Sequence, residues 1–501
     1  MTISPEPNHY AVSADLPNPF PMDESSSAKG GWAGWQGPIF VTALAALLRL
    51  PRLGVPHAII FDETYYVKDS LSLLNFGNER KTVEGADQLL LNSNGKDYLG
   101  IFADAPSYVV HPPVGKWVIA SGEAIFGATP FGWRIAVALL GILSVLLTAR
   151  IARRLTNSNF IGTMAGFLLA VDGLHIAMSR SALLDTTLSF LVLCSFGFLI
   201  LDRDRVNWDG TKIWRWAMVV ALGLATGTKW SGVYYAVAFV ALMLFWDYQR
   251  RVLTCLPNRA LLNWLKSDLL PALLMPFLLI ATYLATWVGW FSSSDGWNRD
   301  WATKNSGQFK LPDALASLVH YHRDMLSFHT HLVTPHSYSA NPWGWPLMIR
   351  PTSFFYETQA TCGASSCSQE VIPLGNPLIW WGGIFALGFI FWLAIRKQMS
   401  AALPILIAVV AGWVPWLFFT HRTMFTFYAV VFIPYTAMAL AISLNFLNSK
   451  VISKRPMHLR WPALTFMLCA LLLTAFFYPI LTGMSISYDA SHLRMWLPSW
   501  I

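Results

Sequence analysis

Two adjacent carboxylates, Asp62 and Glu63, stand in the run Phe61-Asp62-Glu63-Thr64-Tyr65-Tyr66, just past the first long apolar stretch of this 501-residue chain. A carboxylate can serve as general base for a hydroxyl that is otherwise a poor nucleophile. Cations recur near the ends of later apolar stretches, as Arg134, Arg180, Lys229 and Arg422. His111 and Lys116, in His111-Pro112-Pro113-Val114-Gly115-Lys116, share a polar segment with the acidic pair, while Asp172, His175 and Asp185 lie farther on. Any one of these could be a helix-end anchor or a structural ion pair. Together they gather carboxylates and cations near headgroup depth, which suits a substrate with a phosphate at the headgroups and a tail in lipid.

Other chemistries find no support. Lys229 follows Thr228 without the glycine spacing of a nucleotide-binding loop. No His, Cys, Asp and Glu spacing argues for a bound metal, so neither metal nor cofactor is expected, with Asp62 as a metal ligand the competing reading. Trp343, Trp345 and Arg350 belong to a turn-rich run, Asn341 to Pro351, that either faces an acceptor or anchors its own loop. Cys362 and Cys367 sit close together in a polar segment, and an exported compartment permits a disulfide there. Cys194, Cys255 and Cys469 fall in or inside the membrane and are expected to be reduced.

The elements that hold these residues are membrane helices. Hydrophobic residues make up 55% of the chain and charged ones only 12%, about half the charge of a soluble domain. A bilayer core roughly 30 Å thick takes about 20 apolar residues as a helix. Eleven spans are predicted: Gly37–Leu53, Phe131–Ala149, Phe160–Ala177, Leu183–Leu201, Ile213–Thr226, Ser231–Trp246, Leu269–Trp290, Pro377–Ile395, Ala401–Phe419, Met424–Phe446 and Trp461–Leu481. Residues 1–36, rich in Pro, Ser and acids, read as a disordered cytoplasmic tail. The net charge of +8 is assigned to cytoplasmic loops, not to nucleic acid. The basic clusters Arg150–Arg154, Arg203–Arg215, Arg250–Lys266, Arg396–Lys397 and Lys450–Arg460 then all fall on one side, which the positive-inside rule makes cytoplasmic. Counting Pro113–Gly127 as a span would put them outside, so it is read as an interfacial helix. Two segments, 54–130 and 291–376, are left on the outer face, together with the tail 483–501.

In this order, the motifs resemble the protein O-mannosyltransferases. The resemblance rests on Phe61-Asp62-Glu63, His111 to Lys116, Ser179-Arg180 with Leu183-Leu184-Asp185, Thr228-Lys229 with Gly232, Asn341 to Leu347 with Arg350-Pro351, and Arg422 ahead of Phe427-Tyr428. It covers most of the chain. Segment 291–376 leaves no room for the β-trefoil (MIR) domain of the eukaryotic members, so the chain is similar to the shorter actinobacterial type. The resemblance implies the all-α GT-C membrane fold and an inverting transfer of mannose from polyprenyl-phosphate mannose to Ser or Thr of exported proteins. It implies an active site at the outer face of the cell membrane, with the Sec translocon a possible partner. Asp62 is the implied base and Glu63 a positioning group, two roles open to exchange. Arg134 and Arg422, then Lys229 and Arg180, are the implied phosphate ligands; His111, Lys116 and Asp185 would shape the donor site. The alternative is a sibling GT-C enzyme that modifies a lipid or envelope polysaccharide. A transporter would need internal repeats and polar groups at mid-membrane, and neither is seen.

Overall fold

Apolar runs buried in lipid can satisfy their backbone hydrogen bonds only as helix or closed barrel, and this chain folds as helix. The computed structural model describes residues 31–205, 212–254, 257–305, 311–358, 361–396, 399–452 and 461–501. The first half holds α1 (Ala33–Arg49), α2 (Glu63–Phe76), α3 (Ala86–Ser93), α4 (Val114–Phe126), α5 (Pro130–Thr156), α6 (Asn159–Ala170), α7 (Gly173–Ser179), α8 (Leu184–Arg203), α9 (Ile213–Thr226) and α10 (Gly232–Thr254). Next come α11 (Pro257–Trp264), α12 (Leu270–Ala272), α13 (Met275–Ala285), α14 (Val288–Ser292), α15 (Trp301–Lys304) and α16 (Asp313–His331). The chain closes with α17 (Pro377–Ile395), α18 (Ala402–Trp413), α19 (Ile433–Ile452), α20 (Trp461–Thr482) and α21 (Tyr488–His492).

Five described stretches are long and apolar enough to cross a membrane: α5, α8, Arg259–Ala285, α17 and α20. A sixth arises if α6 and α7 count as one span. The expected span Phe160–Ala177 is not one continuous helix, because α6 and α7 meet at a 64° bend. The cause is local: Asp172 leaves helical geometry (ψ 125°) and its Oδ1 accepts from the His175 amide, starting a new helix. The stretch expected to begin at Met424 opens instead with a 3-10 turn, Thr426–Val431, ahead of α19. The helix α1 starts at Ala33, inside the expected tail, most of which lies outside the described residues.

The charges sort the helices into two ends. Arg154 pairs with Asp204 (2.8 Å), Arg215 bridges Asp202 and Asp247 (2.9 Å each), and Lys212 and Arg251 share Asp268 (3.2 and 2.9 Å). These contacts join the C-terminal ends of α5, α8 and α10 to the start of α9. The opposite ends of the same helices carry Arg134, Asp185 and Lys229. Lys397, Lys454, Arg455, Arg460 and Cys255 lie outside the described residues.

The helix α4 does not run between those two ends. Its Val114 amide donates to the Gly227 carbonyl just after α9 (2.9 Å). Near its other end, a Cβ on Gly122 would lie 2.3 Å from the Gly132 carbonyl in the first turn of α5. Both anchors belong to the Arg134–Lys229 end of the bundle.

The polar segments are not wholly helical, a correction to the all-α expectation. The strands β1 (Arg80–Thr82) and β2 (Phe102–Pro106) pair antiparallel in the first. In the second, β3 (Phe355–Glu357) and β4 (Cys367–Val371) pair antiparallel, and β4 pairs with β5 (Ser485–Ser487) from the tail. Cys362 and Cys367 are joined, with Cα atoms 5.9 Å apart, while Cys194 and Cys469 are free.

Candidate active site

The turn into α2 separates the two carboxylates. Phe61 has φ +46°, a costly conformation for a bulky residue. An aromatic box holds it there: Phe61 stacks on Phe354 (4.8 Å between centroids) and meets Phe425 and Phe427 edge-on (5.4 and 5.6 Å). Glu63 then points into protein and is fully buried. Its Oε1 accepts from Arg134 Nε (2.8 Å) and the Ala182 amide (2.9 Å), its Oε2 from Arg134 Nη2 (2.8 Å) and the Ile60 amide (3.0 Å). Four donors fill the acceptor capacity of that carboxylate.

Asp62 sits at the N-cap of α2 without capping it. The Tyr66 side chain, one helical turn on, favours the charged form of Asp62. Burial pushes its pKa up to about 6, against the pull of Lys229, while Asp185 pushes the same way as burial. Asp62 is therefore the carboxylate with spare acceptor capacity and a basicity fit for taking a proton near neutral pH.

Three of the expected phosphate or headgroup cations are already engaged. Beyond Glu63, Arg134 donates to the carbonyls of Pro56 (3.0 Å) and Ala58 (2.8 Å), so its guanidinium is spent on holding the loop after α1. Arg180 donates to the carbonyls of Arg49 (2.6 Å), Pro51 (2.8 Å) and Arg52 (2.9 Å), closing the end of α1. Lys116 is buried against Glu79 and lies 3.8 Å from Asp69, inside the first polar segment. All three thus hold protein groups together in this structure. Asp172 and His175 are scaffold too: Asp172 accepts from Trp380 (2.7 Å), and Arg49 contacts His175 Nδ1 (2.8 Å).

Four of the remaining candidates, His111, Asp185, Lys229 and Arg422, line one cavity of about 530 Å³, and Asp62 is not among its lining residues. His111, Asp185, Lys229, His329 and Arg422 line its polar part, and Leu188, Val233, Leu279, Ile280 and Val431 its apolar part. Lys229 Nζ donates to Asp185 (2.7 Å) and sits 5.1 Å from the centre of the Tyr428 ring. Among the described residues Arg422 pairs with no carboxylate; its Nη2 meets His329 Nδ1 at 3.3 Å, and its Nε is buried without a partner. Burial, with Lys229 and its neighbours, holds the His111 imidazole neutral, well below its usual range. An apolar groove of about 730 Å³ beside α10 and α18 shares Ala411 and Phe419 with the cavity.

One wall comes from α16, which the sequence left unassigned. Tyr283 of α13 links Trp230 (3.0 Å) to His322 of α16 (2.6 Å), and His329 bonds the Val110 carbonyl (2.8 Å). His322 and His329 are two helical turns apart and share a face, a spacing visible in the sequence. Tyr66 and Tyr428 were also missed; Tyr66 had a signal, being one turn after Asp62.

The Asn341–Pro351 run stands elsewhere. Trp345 is buried with its Nε1 on the Ala340 carbonyl (3.2 Å), and Arg350 donates to the carbonyls of Ser337 (2.9 Å), Ser499 and Ile501 (2.7 Å each). Arg350 thus anchors the loop to the tail and Trp345 fixes the loop on itself, whereas Trp343 is 64% exposed. Among the described residues no group of three His, Cys, Asp or Glu is placed to hold a metal ion.

Two family descriptions match the chain: dolichyl-phosphate-mannose-protein mannosyltransferase over residues 101–288, and the C-terminal four-transmembrane region of protein O-mannosyltransferase over 314–500. The polyprenol-phosphate-mannose–protein mannosyltransferase of Mycobacterium tuberculosis is 36% identical across 93% of this chain and 92% of its own length. The protein of that name from Corynebacterium glutamicum is 31% identical across 92% and 91%. Among solved structures, the Saccharomyces cerevisiae protein O-mannosyltransferase Pmt1-Pmt2 complex bound to the sugar donor superposes with a TM-score of 0.74 over 95% of this chain and 94% of its own, at 14% identity. That likeness extends to the helical membrane body and its outer segments.

Proposed function

Because this chain belongs to the protein O-mannosyltransferase family, we propose that it transfers mannose from polyprenyl-phosphate mannose to Ser or Thr hydroxyls of exported proteins. The observation that carries the reading is the cavity, which has a cationic, histidine-lined end and an apolar remainder. An amphiphile with an anionic head and a prenyl tail matches both parts. The adjoining groove gives the tail a continuous apolar route.

The residues divide the work. The Asp62 carboxylate takes the hydroxyl proton as the Ser or Thr oxygen bonds to the anomeric carbon. On the opposite side, the bond from that carbon to the phosphate oxygen breaks, and its electron pair stays on the phosphate. Configuration inverts in this single displacement. Arg422 and Lys229 stabilise the charge that grows on the departing phosphate. Arg422 carries the larger share, since Lys229 is already balanced by Asp185. Glu63 and Arg134 hold the turn that presents Asp62 and do not touch the donor. No cofactor or metal enters this scheme.

The same reading places the cavity at the extracytoplasmic face of the cell membrane, with eleven spans, a cytoplasmic N-terminus and an outer C-terminal tail. The gathering of Arg154, Arg203, Arg215 and Arg251 at the far end of α5, α8, α9 and α10 supports that orientation. Acceptors arriving unfolded from the Sec translocon would meet the site on that face.

Mannose transfer in isolated membranes, from polyprenyl-phosphate mannose to a Thr-rich peptide, tests the assignment. Wild-type protein should label the peptide, and Asp62→Asn should lose about a hundredfold or more while remaining folded. Sugar on a glycolipid with none on peptide would instead identify a sibling glycosyltransferase.

A further inference from the structure

Resting on the phosphate role proposed for Arg422, we infer that His329 is a positioning residue: a neutral imidazole fixed in one tautomer that aims the Arg422 guanidinium at the donor phosphate. The tautomer follows from its partners. Nε2 lies 2.8 Å from the Val110 carbonyl, and a carbonyl only accepts, so Nε2 carries the hydrogen. Nδ1 then keeps its lone pair, and Arg422 Nη2, at 3.3 Å, donates to it. Doubly protonated, the ring would set N–H against N–H at that contact. Burial, helped by Arg422 and Lys229, keeps the ring neutral, with its pKa lowered to about 4.

The guanidinium is held from a second side, 5.8 Å from the centre of the Trp416 ring. Its Nε, buried in the cavity wall, finds no acceptor among the described residues. Leaving a charged donor unpaired away from water is costly, and a phosphate oxygen would supply what is missing. The anchor matters because Val110 is in the first polar segment, His329 on α16 and Arg422 between α18 and α19. His329 therefore ties three distant parts of the chain to one guanidinium. His111 packs on one side of the imidazole, its ring 5.2 Å from that of His329.

The two amide analogues of histidine separate the ring nitrogens. His329→Asn puts an acceptor close to the Nδ1 position, whereas His329→Gln puts a donor close to Nε2 and nothing at Nδ1. Both are made singly, beside Arg422→Ala and the pair Arg422→Ala with His329→Gln, and assayed for donor KM and kcat with polyprenyl-phosphate mannose. The inference expects His329→Gln to raise donor KM about tenfold, the worth of a charge-assisted hydrogen bond, with a smaller change in kcat. It also expects His329→Asn to recover most of that loss, and the double variant to be no worse than Arg422→Ala. Equal losses for Asn and Gln, or a Gln effect that adds in full to Arg422→Ala, overturn it. So does a His329→Gln protein that merely yields less folded enzyme at unchanged KM. If Arg422→Ala itself leaves donor KM unmoved, the phosphate reading falls, and the inference with it.

Discussion

At the turn into α2, neighbouring carboxylates acquire different chemistry from what each can reach. Glu63 is saturated by Arg134 and two amides, whereas Asp62 keeps open capacity beside Tyr66 and Lys229. Replacing Glu63 by Gln leaves Arg134 buried without its counter-charge, at a cost of about 3–5 kcal/mol. The expected result is a lower thermal midpoint and folded yield in detergent, where Asp62→Asn leaves both close to wild type. A catalytic base must be ionised, and burial raises Asp62 to about 6. Turnover should therefore fall as pH drops through about 6, approaching tenfold per unit below it. Because Lys229 favours the ionised form, Lys229→Ala should move that limb to higher pH. A wild-type profile flat down to pH 5 would remove Asp62 from the role. Residue type alone could not sort these groups. Asp62, Lys229 and Arg422 were legible as polar residues near span ends, and so were Arg134 and Arg180. Only tertiary contacts commit the last two to Glu63 and to carbonyls of the loop after α1. His329 escaped because nothing in one sequence ties α16 to Val110 and Arg422.

Helices read from hydropathy come out as helices, and the departures occur where one polar side chain outcompetes the apolar pattern. Asp172 breaks α6 from α7 by capping the second helix, which a count of apolar residues does not register. The strands were missed because each is only three to five residues long, too short for alternation to show. Pairing of β4 with β5 depends on the tail returning to the second segment. The cavity wall formed by α16 hangs on a similar distant contact. The Tyr283 hydroxyl accepts from Trp230 and donates to His322, whose Nδ1 faces the Leu318 carbonyl (2.7 Å). Tyr283→Phe removes both bonds and strands a buried indole N–H and a ring nitrogen. Amide exchange across residues 313–331 should quicken and donor KM should rise a few-fold, with kcat nearly kept. Unchanged exchange in α16 would mean that its apolar face (Leu318, Tyr321, Met325) suffices to seat it.

For the whole molecule the decisive property is the segregation of charge along the helix axes. α5, α8 and α9 each have a basic end, cross-linked by Asp202, Asp204, Asp247 and Asp268, and a site end with Arg134, Asp185 or Lys229. One elementary consequence is that parity matters. In the proposed arrangement α4, held at the site end by Gly227 and Gly132, adds no crossing, and the described basic residues of α8, α9 and α10 stay on the side of Arg154. Were α4 a span, the ion pairs of Asp204 with Arg154 and of Asp202 with Arg215 would be unaffected, but the acidic turn at Asp62 would lie across the membrane from Lys229. The 2.8 Å ion pair of Glu63 with Arg134, in the first turns of α5, holds that turn at the site end. Single cysteines in a background with the free cysteines replaced test this directly. Trp343→Cys, at an exposed position of the second polar segment, should react with a membrane-impermeant maleimide in intact cells. Arg259→Cys, exposed beside the basic clusters, should react only after permeabilisation. Reaction of both from the same side would refute the eleven-span arrangement and return the donor cavity to an undetermined face. The predicted pattern leaves a lipid-borne donor and an unfolded acceptor one common place to meet, the layer where Asp62 and Arg422 stand.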